Sequence, residues 1–473
     1  MPSTAAATVA AVLPYIDSWL EYRAWKLRVP GVQAAIYFDG ETRFSKAYGF
    51  ADVEAKVPLT TDHLFRIASH SKTFTATAVL QLVEAGQLRL DDTAGDFVPE
   101  LVEAQSPVAL VTVRDLLEHS AGVIRDGLDG DYWQHTRPFP DEAELVAMIV
   151  DGGDKFLPGE SFNYTNIGYS LLGLIVAAAS GVSYNEYVAA EIVDRLGLKN
   201  TGPELDDARS GDYASGYTGF HTSLVRRKVD HVDTRAMAAA TGFYGTADDL
   251  VLYFAAHLPG DTRLLSDASK RLQQREHWQS DAAQPGSAHY GLGMIIEKID
   301  GHRVVGHSGG YPGHITRSFF DPAAGLAVSV MTNAVDGPAG ELSTGILRLI
   351  DAALVQAPAL TLTLSGAAGD AVDIDSARFT GRFANLWGVL DVVQLGERLV
   401  SISPGSPNPL DGLDELEIVD ENTLRIRKGS GFGSVGELMH YEFDADGAVT
   451  LLRGSGGMSM WPLDRLGEPH PLP

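Results

Sequence analysis

The stretch RIASHSKTFTA, residues 66–76, decides how this chain is read. Its Ser69 follows a strand-like LFRIA and precedes a run, Lys72 to Ala85, that is apolar on nearly every side and stops at Gly86. A helix apolar all round belongs in a core, and glycine just past its end is an ordinary stop. Ser69 therefore falls where a helix begins. Unpaired backbone N–H groups and the positive end of the helix dipole favour developing negative charge there. Lys72, three residues on, shares a helical face with Ser69. A lysine carried into an apolar core tends to lose its proton and can then act as a base. Ser71 is a poorer candidate, because adjacent helical residues do not face each other. S-x-x-K alone is a common pattern, so the pair needs support from elsewhere in the chain.

A second stretch competes with it. GHSGG, residues 306–310, fits the G-x-S-x-G nucleophile elbow of α/β-hydrolases such as lipases, with Ser308 attacking. An elbow needs a strand, a sharp turn and then a helix. HRVVGH supplies the strand, but Tyr311, Pro312, Gly313 and a further strand follow it. The usual downstream acid and histidine are missing too: His314 is too close, and His440 and His470 lie in or beyond a late β region. Glycine-rich patterns also arise by chance in a chain with 50 glycines. Ser69 is therefore preferred to Ser308.

The 473 residues suggest two or three domains. A net charge of −26 and a pI near 4.8 exclude a basic footprint for nucleic acid and argue against binding to anionic membranes. The absence of cysteine excludes disulfides, zinc–thiolate sites and thiol nucleophiles. No apolar stretch is long enough to suggest a membrane span. The Ala-rich start has no Lys or Arg before its apolar part, so it does not read as a secretory signal. It reads as a short amphipathic helix running on through SWLEYRAWKL. A cytoplasmic location is expected, with a removed export signal left open.

Along the chain, GVQAAIYFDGETRFSKAYGF (31–50) reads as two strands around Asp39-Gly40. Helices are expected at 112–118, 141–150, 167–180, 184–195, 246–257 and 339–355. Strands return around Asp300-Gly301 and through HITRSFFDPAAGLAVSVMTN. Strands thus open and close this region and helices fill its middle, so both ends should share one antiparallel sheet. Residues 358–376 lose periodicity and read as a linker. After them, short alternating runs separated by Gly, Pro, Asn and Asp suggest a small all-β barrel. The expected domains are 1–357, of mixed helices and antiparallel sheet, and 377–473, the barrel.

PGESFNYTNIGYSLLG (158–173) adds Tyr164-Thr165-Asn166, and GHSGG then reads as His307-Ser308-Gly309 on an edge strand. With S-x-x-K, Y-x-N and H-x-G in this order, the chain resembles the serine β-lactamase and penicillin-binding-protein superfamily. Its class C-like branch, with esterases, D-aminopeptidases and DD-peptidases, is the most similar. The resemblance runs from about Val29 to Asn333 and includes VTVRDLLEHSAGV (111–123), GVSYNEYVAAEIVDRLGLKNTG (181–202) and TGFYGTADDLVLYF (241–254). The late β region resembles the lipocalin-like barrel appended to some members.

The resemblance implies a β-lactamase-like fold and a seryl acyl-enzyme. Ser69 would be the nucleophile, Lys72 its activating partner and Tyr164 the second proton carrier. Asn166 would orient Lys72 and the substrate amide; His307, Ser308 and Gly309 would form the third motif. The N–H groups of Ser69 and Gly310 would make the oxyanion hole. No metal and no cofactor are expected. The partner is a small-molecule or peptide substrate, with oligomeric state left open. Because histidine stands where the family often has lysine, an esterase or D-stereospecific peptidase is expected before a β-lactamase or peptide cyclase. Lowering the pH toward 6 should then add charge at His307. A catalytically idle binding protein on the same fold is the alternative of a different class, and the presence of Ser69, Lys72, Tyr164 and Asn166 speaks against it. His119 reads as a residue that holds a turn, and His314 as either cleft-lining or structural.

Overall fold

Strand Gly31–Phe38 carries the pattern that should join the two ends of the first domain. In the computed structural model it pairs antiparallel with Glu41–Asp52 on one side and with Leu326–Thr332 on the other. The structure describes residues 4–220, 224–281, 283–284, 286–355, 374–429, 435–454 and 457–465. From Leu326–Thr332 the sheet runs through His314–Asp321, His302–Tyr311 and Ile295–Ile299 to the short edge strand Trp278–Gln279, nine antiparallel strands among the described residues. Asp39 and Gly40 both take positive φ, +52° and +89°, as a tight hairpin turn between twisted strands requires.

Helices cover one face. Ala35, Val305, Phe320, Ala327 and Met331 from the sheet share one apolar cluster with Leu250, Val251 and Phe254 of helix Ala247–Ala255 and with Phe74, Val79 and Leu80 of helix Ser71–Glu84. Phe74 stacks between Phe243 and Tyr253, with centroids 4.3 Å and 3.8 Å away. Burying a side chain of this kind contributes about 1.5–3 kcal/mol, which anchors the helix that follows Ser69. The other expected helices form as Val113–Leu117, Glu142–Gly152, Asn166–Ser180, Tyr184–Val188, continued by a π-helical turn, Ala189–Asp194, and Ala339–Leu354.

One expectation is corrected. The strand bearing His307 is not an edge strand, since it has neighbours on both sides. Its pairing with Ile295–Ile299 stops at Gly306, however, while its pairing with His314–Asp321 continues to Tyr311. Residues 307–311 therefore run past one neighbour, and that free flank packs on the turn that holds Ser69.

By its contacts the chain divides into two compact units, Arg28–Ser343 and the two chain ends together, Met1–Leu27 with Thr344–Pro473. In the second, eight antiparallel strands from Gly381–Ala384 to Ser459–Pro462 close into a barrel. Its interior is filled by Phe383, Val392, Leu399, Leu424, Met439, Tyr441 and Leu452. Helix Thr4–Lys26 groups with this barrel and not with the sheet. Tyr15 donates to Asp391 at 2.9 Å, and Asp391 accepts two further hydrogen bonds from Arg382, each 2.8 Å. The linker expected at 358–376 lies, up to residue 373, outside the described residues.

Candidate active site

Strand residues Phe65–Arg66 lead into a 3₁₀ turn, Ala68–His70, and helix Ser71–Glu84 follows at once. Ala68 takes φ +47°, the left-handed region that costs an L-residue about 1–2 kcal/mol. The bend is held by its surroundings. Ile67 N–H donates to Phe243 O at 3.0 Å. The Ser71 hydroxyl donates to Ala68 O at 2.6 Å and accepts the Phe243 N–H at 3.0 Å. Ser71 is thus fully buried and fully engaged, whereas Ser69 remains half-exposed.

Lys72 is completely buried. Its Nζ lies 3.3 Å from Ser69 Oγ, 2.8 Å from Asn166 Oδ1 and 2.9 Å from the Ala240 carbonyl oxygen. Burial pushes its pKa well below the usual amine value; Asp126 opposes that fall and Arg125 adds to it. A neutral amine has two hydrogens and one lone pair. Asn166 Oδ1 and Ala240 O can only accept, so they take the two hydrogens. The lone pair is left for the Ser69 hydroxyl.

Tyr164 borders the same lysine. Lys72 Nζ lies 4.8 Å from its ring centroid, and the Ser69 side chain opposes the rise in its pKa. Burial raises its pKa, so the phenol keeps its proton through the neutral range. Asn166 is not the helix cap. Thr165 does that, accepting the Gly168 N–H at 2.9 Å, and this frees the Asn166 side chain for Lys72 and, through Nδ2 at 2.7 Å, for Asp126 Oδ1. His119 does hold a turn, as its sequence context suggests. It sits at φ +60°, accepts the Thr165 N–H on Nδ1 at 3.1 Å, and packs 4.3 Å from the Tyr164 ring.

The third motif approaches from the sheet. A Cβ on Gly309 would lie 2.2 Å from Ile67 O and 2.4 Å from Thr316 Oγ1, so only glycine lets the strand reach the Ser69 turn. Gly310, in register with Ile315, lies on the open side with Ser308. His307 is almost fully buried, against the expectation that it meets substrate charge. Its Nδ1–H donates to Ser308 O at 2.6 Å, which leaves Nε2 to accept from the Tyr290 hydroxyl at 3.0 Å. Burial, His70 and Lys72 push its pKa well below the ordinary value. Burial disfavours charge at His307 and so works against the expectation that it gains charge as the pH falls toward 6. His314 is also fully buried, edge-on to Phe65, and does not line an open cleft.

The structure thus brings Ser69, Lys72, Tyr164 and Asn166 together and seats Gly309 against their turn. Four contributors were not singled out in the sequence: Arg125, Asp126, the Ala240 carbonyl and Tyr290. Only the carboxylate of Asp126, seven residues after His119 in the stretch EHSAGVIRD, carried a signal that could have been noticed.

A half-exposed serine beside a buried lysine, set between a helical layer and an antiparallel sheet, defines the class as a serine hydrolase. The chain belongs to the Beta-lactamase family, whose profile matches residues 16–352. It is 30% identical over 329 residues to penicillin-binding protein 4 of Amycolatopsis lactamdurans, covering 68% of this chain and 84% of that one. It is 26% identical to the protein flp of Staphylococcus aureus and spans 62% of that protein's length. Among solved structures, a D-amino acid amidase from Ochrobactrum anthropi SV3, complexed with L-phenylalanine amide, is similar with a TM-score of 0.60 and 26% identity. That likeness covers 72% of this chain and 98% of the amidase. An octameric penicillin-binding-protein homologue from Pyrococcus abyssi covers 95% of this chain and 99% of its own, with a TM-score of 0.62. At 23% identity it shows likeness of fold.

Proposed function

We propose that the chain cleaves or transfers acyl groups of neutral esters or amides through a Ser69 acyl-enzyme, as an esterase or D-stereospecific peptidase. The observation that carries this is the environment of Lys72, a fully buried amine against Asn166 Oδ1 and Ala240 O with Ser69 Oγ at 3.3 Å, so that in its neutral form the lone pair is left for Ser69. In the proposed cycle, Ser69 Oγ attacks the carbonyl carbon while its proton passes to Lys72 Nζ. Negative charge on the carbonyl oxygen is met by the N–H groups of Ser69 and Gly310. Tyr164, still protonated, donates to the leaving group, and Lys72 restores its proton. Water then adds to the acyl-enzyme by the reverse sequence.

The pH dependence follows from the two directions. Acylation needs neutral Lys72, so it rises with pH through a pKa that burial has lowered. It falls when Tyr164 ionises, at a pKa that burial has raised. A broad plateau across the neutral range is expected.

Preference for neutral substrates is supported by His307, which is buried with both ring nitrogens engaged and whose pKa burial lowers, so that charge at the third motif is disfavoured. Likeness to the D-amino acid amidase favours amides among the candidates. By chain order we propose residues 1–357 as the hydrolase domain and 377–473 as the barrel domain, although by contacts Met1–Leu27 and the residues from Thr344 onward group with the barrel. The test is a kcat/KM panel of short-chain esters, D- and L-aminoacyl amides and β-lactams, run beside Ser69→Ala. Turnover of a neutral ester or amide, lost in the variant, is expected. Turnover confined to β-lactams, or unaffected by the variant, would overturn the proposal.

A further inference from the structure

Asn166 has an amide with two unlike ends, an oxygen that accepts and an NH2 that donates. Its Oδ1 faces Lys72 Nζ at 2.8 Å and its Nδ2 faces Asp126 Oδ1 at 2.7 Å. A carboxylate only accepts, so it admits only the NH2 end. Turning the amide over would set its oxygen against the carboxylate and point two hydrogens at the lysine. Those hydrogens would take the lone pair that otherwise faces Ser69.

Asp126 is itself anchored. Trp133 Nε1 donates to the same Oδ1 at 3.0 Å, Arg125 Nε donates to Oδ2 at 3.1 Å, and the Tyr132 hydroxyl donates to the Asp126 backbone oxygen at 2.9 Å. The Asn166 backbone N–H donates to Arg125 O at 2.9 Å, so this loop and the helix start are tied twice.

We infer that Asp126 is a positioning residue for the base: it holds the Asn166 amide so that Lys72 meets an oxygen, and it places a negative charge behind that amide. This rests on the proposed Ser69–Lys72 reading. The groups that face or surround Lys72 are Ser69, Tyr164, Tyr169, Asn166, His119, His307, Arg125 and Asp126. Burial disfavours charge on both histidines, which leaves Arg125 and Asp126 as the side chains of formal opposite charge near Lys72. Asp126 favours the protonated lysine. Removing its charge leaves Arg125 unopposed, so Lys72 gives up its proton at lower pH.

The experiment measures second-order acylation by a fluorophosphonate across the acid and neutral range for the wild type, Asp126→Asn and Asp126→Ala. Asp126→Asn keeps an oxygen where Trp133 and Asn166 donate but loses the charge. Its acid limb should move to lower pH with a plateau within about threefold of wild type, while Asp126→Ala should show the same move and a plateau roughly tenfold lower, the worth of one lost hydrogen bond. Acid limbs that superpose on the wild type in both variants would overturn the inference. So would a lower plateau and lower Tm with an unmoved limb, the mark of a merely structural residue. If Asp126→Ala does not fold, Asp126→Asn decides alone. A Ser69→Ala control separates the two failures: wild-type labelling in that variant refutes the serine reading itself, whereas its loss with unmoved Asp126 profiles refutes only this inference.

Discussion

Ser69 and Ser308 each carry a hydroxyl that a short local pattern can nominate. At Ser69 the chain is bent through a left-handed Ala68, and a buried lysine lies 3.3 Å from the hydroxyl while also contacting Asn166 Oδ1 and Ala240 O. At Ser308 the hydroxyl is exposed on a continuous strand, in register with Arg317, and among the described residues no hydrogen bond joins it to a base. Arg317 is held by Glu297 at 2.6 Å and cannot accept a proton. On the proposed reading, what separates the two serines is the desolvated amine with engaged donors that stands beside Ser69. A glycine on either side of a serine supplies no such base.

Lys72→Ala is the strongest way to break this comparison. It removes the base, and acylation by a fluorophosphonate should fall about 10³-fold, within the range for general-base loss. If it fell less than tenfold, the Lys72 contacts would be packing and not chemistry. Tyr164→Phe keeps the ring beside His119 and removes the proton donor. Ester turnover should fall about 10²-fold with the fold intact; stopped-flow burst analysis would show whether leaving-group departure is the step affected. Gly309→Ala forces a methyl into Ile67 O and should cost about 1–3 kcal/mol of stability by overpacking, with roughly tenfold slower acylation. An unchanged Tm would mean that the strand does not seat against the turn.

Asp391→Ala carries the contrast to the other unit. It strips a buried carboxylate from Tyr15 and Arg382 and should destabilise the barrel unit by about 3 kcal/mol. Acylation should stay within about twofold, as expected for an independent site. Thermal unfolding and a labelling assay on the same sample read both. The smallest expected effect is none: the kcat/KM ratio for a neutral ester and its carboxylate-bearing analogue should hold steady from about pH 7.5 to about pH 6, across the ordinary histidine pKa. A ratio that narrowed there would show His307 gaining charge despite its burial.

Much of this was legible in the sequence. The hairpin at Asp39-Gly40, the apolar helix after Ser69 and the alternating late strands each carry a local signal that tertiary packing only reinforces. The order of Ser69, Tyr164 and His307 along the chain marked the candidate site. The charge state of His307 was not legible, because it depends on Tyr290 and on the Ser308 carbonyl, and residue type alone fixes neither. The edge-strand expectation failed because residues 302–306 of that strand pair with Ile295–Ile299, and only 307–311 run free on that side, a register detail that alternation does not record. Asp126 was passed over because its partner is 40 residues away and its own neighbour Arg125 reads as a surface ion pair. Helix Thr4–Lys26 carries its apolar face in sequence, but the identity of its partner comes from Tyr15 and Asp391, 376 residues apart.

The central claim is that Ser69, and not Ser308, becomes acylated. Labelling the full-length protein with a fluorophosphonate, digesting it and mapping the adduct by mass spectrometry tests that claim in one step. A single adduct on the peptide containing Ser69, abolished in Ser69→Ala and retained in Ser308→Ala, is the predicted result. An adduct on the peptide containing Ser308, surviving in Ser69→Ala, would contradict it.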